Sequence, residues 1–537
     1  MKRWLLLVVL MFFILSILLN ILNAQVDTAW VRRYNGFSDS MDCAVAIAVD
    51  NIGNVYVTGY SFNQVSNLDY YTIKYDALGQ EVWSARYDGP ANMLDYPYAL
   101  AIDEQGNVYV TGGSYGIGVY YDYATIKYNP FGETAWVRRY NGPANDYDEA
   151  RAIAVDNQGN VYVAGRSYGL TMNYDCLTIK YNSLGQDIWT KRYNGAGNSY
   201  DAIYAMTIDS VGNVYVTGTV YNTSSGYDYV TIKYDSLGQE KWVQIYNGTG
   251  NSTDYANAIA VDNSGNVYVT GNSSGIGSNL DFLTIKYDSL GQEIWTARYN
   301  GPGNYIDHAN AIDIDILGNV YVVGATRTSG IGYDYVTIKY NNAGQQVWVQ
   351  IYNSPTNGDD YAYALKIDNQ QNVYVTGYGT FPSTLRDYTT IKYNTQGQLI
   401  WIITYNGPAN SYDEARAITL DAINNVYVTG TSSGFGPDYA TVKYVQGQGL
   451  EELITHGAKS SMPKIYPNPA ASVVYVCCPW NVNKVTIYDA TGKVIKQIAL
   501  QVCNDNTVRI LLEGIKKGVY FIKVNDVMVK DKLVITK

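Results

Sequence analysis

Histidine and cysteine are both scarce in this chain of 537 residues. The two histidines, His308 and His456, are too few for a histidine-based zinc site or a catalytic triad, which excludes the hydrolases that depend on them. The five cysteines follow no repeating pattern and predict no disulfide framework, although a link between Cys503 and the pair Cys477/Cys478 stays open.

Positive charge is also in short supply. The formal net charge is −11, and because residues 464–537 are basic, the part of the chain before them is more acidic still. A nucleic-acid partner is therefore not expected, since neutralising phosphates needs clustered Lys and Arg. Residues 1–24 combine a basic start, an apolar run and a small final residue, which predicts a secretory signal peptide, with an uncleaved membrane anchor as the alternative. No later segment is apolar enough to span a membrane.

A 53-residue unit fills most of the chain. The string NVYV begins at residues 54, 107, 160, 213, 266, 319, 372 and 425. A tryptophan recurs with the same period at residues 30, 83, 136, 189, 242, 295, 348 and 401. Self-similarity at about this period is typical of propeller blades. The sequence therefore predicts an all-β fold, an eight-bladed β-propeller over residues 25–448, with seven blades as the alternative.

Each unit reads as four short strands. In the third copy they are A (ARAIAV), B (NVYVAG), C (CLTIKY) and D (DIWTKRY), with tight Gly-containing turns between A and B and between C and D. The array starts with a D strand around Trp30 and ends with a C strand around Thr441. We therefore expect the N-terminal strand to complete the last blade, which removes exposed sheet edges.

Two resemblances support this organisation. The strings AIAVDNxGNVYVTG and DYxTIKY resemble the bacterial SBBP-type β-propeller repeat, which implies a propeller and an extracellular location but no single activity. Residues 464–537, which follow a linker at 449–463, read as a small β-sandwich and are similar to the type A sorting domain of type IX secretion in Bacteroidota-like bacteria. The matching residues are Pro467, Asn468, Pro469, Gly492, Gly518, Tyr520 and the basic ending at Lys537.

The sorting resemblance implies a route and a partner. In that family the domain directs export across the outer membrane through the type IX secretion machinery and is often removed at the cell surface. We therefore expect a secreted or outer-surface protein that passes through the periplasm. Separately, we expect the protein to be a monomer.

The repeat is not uniform at two positions near the start of strand A. They lie two residues apart, so they share a face, on the side where the longer links gather. The residues predicted to bind a ligand there are Tyr96, Tyr98, Arg151, Tyr204, Tyr255, Asn257, His308, Asn310, Tyr361, Tyr363 and Arg416. Aromatic, Arg and Asn side chains at a channel mouth suit a carbohydrate or a protein. The alternative is that they are solvated rim residues, or Glu–Arg pairs that satisfy each other.

Three aspartate positions recur in every copy. We interpret them as turn caps, with rings of structural Ca²⁺ ligands as the alternative, and we expect no cofactor and no catalytic or metal site. The sequence thus favours a non-enzymatic, secreted or cell-surface scaffold for binding or adhesion. The alternatives are an extracellular propeller glycoside hydrolase or polysaccharide lyase, and a structural surface-layer or matrix protein without a specific ligand.

Overall fold

The computed structural model describes residues 26–63, 67–118, 120–328, 332–434 and 436–446, together with 464–466, 473–477, 484–488, 493–499, 507–511, 515–524, 527–528 and 533–535. The chain divides into two compact units between residues 447 and 448. The predicted signal peptide and linker lie outside the described residues. Within the described part of the chain, no helix has the length and apolar character needed to cross a membrane.

Among its described residues, the first unit consists of β-strands and one short 3-10 helix, Phe37–Asp39. Its strands, in chain order, are β1 (Val26–Tyr34), β2 (Asp42–Val49), β3 (Val55–Phe62), β4 (Leu68–Tyr75), β5 (Glu81–Tyr87), β6 (Asp95–Ile102), β7 (Val108–Tyr115), β8 (Tyr121–Tyr128), β9 (Thr134–Tyr140), β10 (Asp148–Val155), β11 (Val161–Tyr168), β12 (Tyr174–Tyr181), β13 (Asp187–Tyr193), β14 (Ala202–Ile208), β15 (Val214–Asn222), β16 (Gly226–Tyr234), β17 (Glu240–Tyr246), β18 (Asp254–Val261), β19 (Val267–Ser274), β20 (Leu280–Tyr287), β21 (Glu293–Tyr299), β22 (His308–Ile314), β23 (Val320–Arg327), β24 (Tyr333–Tyr340), β25 (Gln346–Tyr352), β26 (Tyr361–Ile367), β27 (Val373–Phe381), β28 (Leu385–Tyr393), β29 (Leu399–Tyr405), β30 (Asp413–Leu420), β31 (Val426–Ser433) and β32 (Pro437–Gln446).

These strands form eight four-stranded antiparallel sheets. Sheet 1 is β2–β5, sheet 2 is β6–β9, and so on to sheet 7, β26–β29, so that each sheet holds strands A to D of one repeat in order. In sheet 8, β30, β31 and β32 are completed by β1 from the beginning of the unit. The pairing runs from Val26 opposite Gln446 to Tyr34 opposite Tyr439. The predicted propeller fold, with its closing N-terminal strand, is confirmed.

Neighbouring sheets are held together by the recurring tryptophan of strand D. For seven of the eight tryptophans the ring lies against the glycine of the C–D turn in the next sheet, as Trp83 does against Gly132. The indole N–H donates to a carbonyl of the same turn, for Trp83 that of Pro130 at 3.0 Å. Trp30 of β1 makes the same contact to the turn of sheet 1, at Ala77 O, so sheet 8 packs on sheet 1 and the sheets form a closed ring.

The recurring Asp at the end of strand A holds the A–B turn. The carboxylate of Asp50 accepts the backbone N–H groups of Ile52 and Asn54, and its other oxygen accepts the hydroxyl of Tyr56. The corresponding turns of the other sheets have the same bonds; in sheet 2, for example, Asp103 accepts from Tyr109 at 2.8 Å. The aspartates at the end of strand A therefore cap the A–B turns by accepting hydrogen bonds from backbone N–H groups.

The second unit contains two antiparallel sheets. Its strands are β33 (Lys464–Tyr466), β34 (Val473–Cys477), β35 (Lys484–Tyr488), β36 (Val494–Ala499), β37 (Thr507–Leu511), β38 (Gly518–Val524), β39 (Val527–Met528) and β40 (Leu533–Ile535). One sheet has the order β33-β34-β37 and the other β36-β35-β38-β39, with β40 also paired to β38. Tyr520 is buried and donates to Lys516 O at 2.8 Å. Of the predicted sorting motif, Gly518 begins β38, whereas Pro467, Asn468, Pro469, Gly492 and Lys537 lie outside the described residues.

Candidate functional site

A β-bulge lies near the start of strand A in each sheet. In sheet 1, Ala44 pairs with Gly59 and Ala46 with Thr58, which leaves Val45 as the extra residue. The bulged positions of the eight sheets are Val45, Tyr98, Arg151, Tyr204, Asn257, Asn310, Tyr363 and Arg416. Bulges re-aim side chains and are frequent beside binding sites. The second of the two variable positions chosen from the sequence is therefore the bulged residue, which has no partner in the pairing of strand A with strand B.

A cavity of about 430 Å³ opens at the side of the ring where strand A begins, which we call the mouth. Its lining residues come from sheets 1, 6, 7 and 8 and are Cys43, Val45, Tyr60, Asn310, Tyr363 and Arg416. The structure thus brings three of the predicted ligand-binding residues, Asn310, Tyr363 and Arg416, to one cavity. The volume is within the range of small-molecule sites.

Tyr60 was missed by the sequence reasoning. It lies on strand B directly opposite Cys43 of strand A, so it reaches the same end of the sheet. The occupants of its position in successive repeats are Tyr60, Gly113, Arg166, Thr219, Asn272, Ala325, Tyr378 and Thr431. This variability is as great as that at the start of strand A. The same comparison between copies, applied to strand B, would have found it.

Arg416 is part of a charged and aromatic cluster between sheets 7 and 8. Its guanidinium lies 4.6 Å from the centre of the Tyr363 ring and is ion-paired with Glu414. The same carboxylate also binds Arg386, which comes from the start of β28 in sheet 7. Arg386 lies over the rings of Tyr378 and Tyr412, at 4.3 and 5.4 Å. We call this group, with Glu414 at its centre, the Glu414 cluster.

A second cluster of the same kind joins sheets 2 and 3. Here Glu149 is ion-paired with Arg151 at 2.9 Å and with Arg166 at 2.6 Å. The guanidinium of Arg151 lies 3.9 Å from the Tyr98 ring centre, while Arg166 lies over Tyr174 and Tyr200. Burial acts to raise the pKa of Glu149, but the two guanidinium groups outweigh it and lower this pKa, so the carboxylate stays ionised. We call this group the Glu149 cluster.

The two predicted asparagines connect sheets. The side-chain amide of Asn257 donates to Ala309 O of the next sheet at 2.8 Å, and Asn310 donates to Ala362 O at the same distance. At both positions the bulge directs the side chain to the neighbouring strand A. Asn310 thus has a structural bond as well as a place in the cavity lining, whereas the cavity lining does not include Asn257.

The remaining predicted residues form aromatic contacts around the mouth. Tyr96 lies edge-on to Tyr60, with ring centroids 5.2 Å apart, and Tyr255 stacks on Tyr227 at 5.7 Å. His308 lies 6.1 Å from the Tyr361 ring, and burial lowers its pKa, which favours the neutral imidazole. Burial raises the pKa of Tyr204, which is hydrogen-bonded to Tyr200.

A group of three carboxylates is found away from the cavity. Oxygens of Asp69, Asp88 and Asp95 lie within 4.8 Å of one another. The carboxylate of Asp69 is already ion-paired with Arg86 at 3.0 Å, and Asp95 accepts the backbone N–H groups of Gly89 and Tyr115. Protein donors therefore engage both buried members of the group.

The fold and the mouth define the class: a β-propeller with a variable surface on one side of the ring. Comparison with family models is consistent with this. Residues 83–118, 135–170, 188–219 and 241–277 match the β-propeller repeat called SBBP, and residues 464–536 match the secretion system C-terminal sorting domain. The chain is therefore a β-propeller protein with matches to the SBBP repeat between residues 83 and 277, and it has a secretion system C-terminal sorting domain, which marks proteins secreted by the type IX system to the cell surface or the extracellular space.

Similar proteins are more distant. A curated relative is an uncharacterized WD repeat-containing protein, L264, of Acanthamoeba polyphaga mimivirus, with 22% identity over 67% of this chain. The chain spans 31% of the length of that relative. Among solved structures, the β-propeller domain of the trilobed protease from Pyrococcus furiosus has 8% identity and a TM-score of 0.38, covering 68% of this chain and all of that one (100%). The α-L-arabinofuranosidase Arb93A from Fusarium graminearum has 9% identity and a TM-score of 0.34, covering 56% of this chain and 93% of that one.

Proposed function

We propose that the protein is a non-catalytic scaffold, displayed on or released from the cell surface, that binds carbohydrate in the cavity at the mouth. We further propose that residues 1–24 direct the chain to the periplasm and that the sorting domain, after the linker at 449–463, engages the type IX machinery. The ligand proposal rests chiefly on one observation: Tyr60, Tyr363, Asn310 and Arg416 of four different sheets line one cavity of about 430 Å³.

The chemistry of the lining favours a sugar over a peptide. Two tyrosine rings offer flat apolar faces, while the amide and the guanidinium offer hydrogen-bond donors for hydroxyl groups. The volume of about 430 Å³ is large enough for a small ligand such as one or two sugar rings.

A binding role is also favoured over hydrolysis. A glycoside hydrolase uses a pair of carboxyl groups across the scissile bond. The residues that line this cavity include no carboxylate, and Glu414 beside it is ion-paired with two arginines. The third candidate function, a matrix protein without a ligand, does not account for the variation between repeats in the residues at the mouth.

Replacing one tyrosine tests the proposal. We expect Tyr363→Ala to weaken binding to glycans identified on an array by about tenfold, because an aromatic contact contributes about 1–1.5 kcal/mol. The matched control is Phe131→Ala, which removes an exposed ring from a C–D turn at the opposite side of the ring of sheets. Thermal melting of each variant shows whether it remains folded.

Three outcomes would contradict the proposal. Equal glycan binding by Tyr363→Ala and the unmodified protein would place the ligand elsewhere. Turnover on a polysaccharide panel would favour the glycosidase or lyase, and binding only to peptides would favour a protein ligand. A folded protein that neither binds nor cleaves any member of these panels would favour the matrix component.

A further inference from the structure

The Glu149 and Glu414 clusters have the same unusual composition. Each contains two arginines bound to one glutamate, so each has a surplus positive charge. They occur five repeats apart in a chain whose formal net charge is −11. The same repeat position thus has an arginine in surplus over the glutamate in two sheets, at the mouth of an acidic protein. This arrangement points to an anionic partner.

The two arginines of each cluster have different surroundings. Arg166 lies over two tyrosine rings, as does Arg386, and both are fixed against the glutamate. The bulge arginines are more open, with 33% of the Arg151 side chain and 40% of the Arg416 side chain exposed. Their bonds to glutamate use one terminal nitrogen, Nη2, so the other nitrogens are not committed to that carboxylate.

Most other arginines of the propeller are used structurally. Arg33, Arg86, Arg139, Arg192 and Arg298 of strand D each pair with the buried Asp of strand C. The further carboxylates near the clusters, Asp146 and Asp359, each accept a backbone N–H group, from Tyr147 and Tyr333. Each strand D arginine thus has an aspartate of its own. Arg151 and Arg416, at the bulges, instead share the carboxylate of Glu149 or Glu414 with a second arginine.

We propose that the mouth binds acidic sugars, with Arg416 receiving a carboxylate or sulfate group while Tyr363 and Tyr60 contact the sugar ring. Arg151 of the Glu149 cluster forms a second, equivalent anion subsite three sheets away around the ring. The planar guanidinium suits both anions because it can donate two parallel hydrogen bonds. This inference rests on the proposed carbohydrate binding and adds the charge of the ligand.

Charge-changing variants with opposite expected effects test it. Arg416→Gln is expected to weaken binding to an oligogalacturonate at least tenfold, and Arg151→Gln to weaken it several-fold. Glu414→Gln removes the competing carboxylate and is expected to strengthen binding several-fold, an effect that a merely structural role would not produce. Lys241→Gln is the matched control, because it removes one exposed positive charge from an outer strand D.

The probes separate the two proposals. Oligogalacturonate is compared with its fully methyl-esterified, neutral form, and a sulfated galactan oligosaccharide separates sulfate from carboxylate recognition. A preference for the charged forms that decreases with salt and is lost in Arg416→Gln supports the inference. Equal binding of charged and neutral forms, or unchanged binding by Arg416→Gln, overturns it while leaving carbohydrate binding intact. Binding to neither form, with no hit on a wider glycan array, overturns both.

Discussion

At the scale of single residues, the buried aspartates that begin strand A are notable for their pKa values. Asp95, Asp148, Asp201 and Asp360 are completely buried, and burial raises the pKa of each to about 6 despite bonds from backbone N–H groups. Asp387 of strand C also has a pKa raised to about 6 by burial, and the hydroxyl of Thr384 is its donor where five other sheets supply an arginine. In the ionised form these groups oppose folding.

Stability is therefore expected to depend on pH in a definite direction. Between the unfolded value of about 4 and the folded value of about 6, the folded chain binds more of these protons than the unfolded chain does. The stabilisation present at the acidic end of this window is lost as the pH rises through 6. The melting temperature should therefore be higher at pH 5 than at pH 8, and a higher value at pH 8 would contradict the assignment.

A single substitution isolates one of these groups. Asp387→Asn is expected to raise the free energy of unfolding at pH 8 by about 1–2 kcal/mol and to flatten the pH dependence, because the amide needs no proton to be neutral. Asp281→Asn is the matched comparison at the same strand position. It should destabilise the protein at pH 8, because Arg298, 3.1 Å from Asp281, would lose its ion-pair partner. Denaturant unfolding of both variants at pH 5 and pH 8 measures the effect.

At the scale of the secondary-structure elements, the C–D turn joins adjacent sheets. Its glycine has a positive φ, +85° at Gly132, and a Cβ there would lie 2.7 Å from the Trp83 ring. The turn therefore needs glycine for two reasons, its backbone conformation and the ring that covers it. Sheet 8 has no C–D turn of its own because β1 comes from the other end of the unit, and there the side chain of Gln446 accepts the N–H of Trp401 at 3.2 Å.

Two glycines of sheet 2 separate these two requirements. Gly132→Ala is expected to lower the free energy of unfolding by about 2–3 kcal/mol, from backbone strain plus the displaced indole. Gly106→Ala, in the A–B turn, has a φ of +79° but no atom closer than 3.6 Å to the added Cβ. It should cost only about 1 kcal/mol. Equal losses in chemical denaturation would mean that the tryptophan contact adds nothing.

At the scale of the whole first unit, the closed ring depends on β1. This strand pairs along β32, places Trp30 on the turn of sheet 1 and supplies Arg33 to the buried Asp438. Without it, sheet 8 would have three strands and an open edge at β32, which invites pairing with other chains. That the eight sheets correspond to eight blades in the exported protein stays a prediction.

Deleting residues 26–36 is expected to open the ring. The melting temperature should fall by several degrees and the shortened chain should aggregate, because an edge strand and the packing surface of sheet 1 are both exposed. A synthetic peptide of residues 26–36 added in trans should restore part of the loss, whereas a peptide with Trp30→Ala should restore less. An unchanged melting temperature after the deletion would show that β1 does not close the ring.

Much of the fold could be predicted because its repeat is so regular. The tryptophans, the turn glycines and the phase of the strands at both ends of the array were enough to indicate the closing role of β1. The site was only partly predictable. The variable positions of strand A led to Asn310, Tyr363 and Arg416, but also to Asn257, which bonds to the next sheet and is not among the residues that line the cavity.

The sequence by itself determined the repeating unit and the sorting tail, because turns, strand periodicity and motifs depend on residues close together in the chain. It also indicated the closing strand, because the array starts with a D strand and ends with a C strand. Only the tertiary structure decided which variable residues meet. Arg166 binds Glu149 directly opposite it on the neighbouring strand of the same sheet, but Arg386 of a strand C in sheet 7 binds Glu414 of a strand A in sheet 8. The packing of sheet 7 on sheet 8 brings Arg386 to Glu414, and no spacing in the sequence encodes that contact.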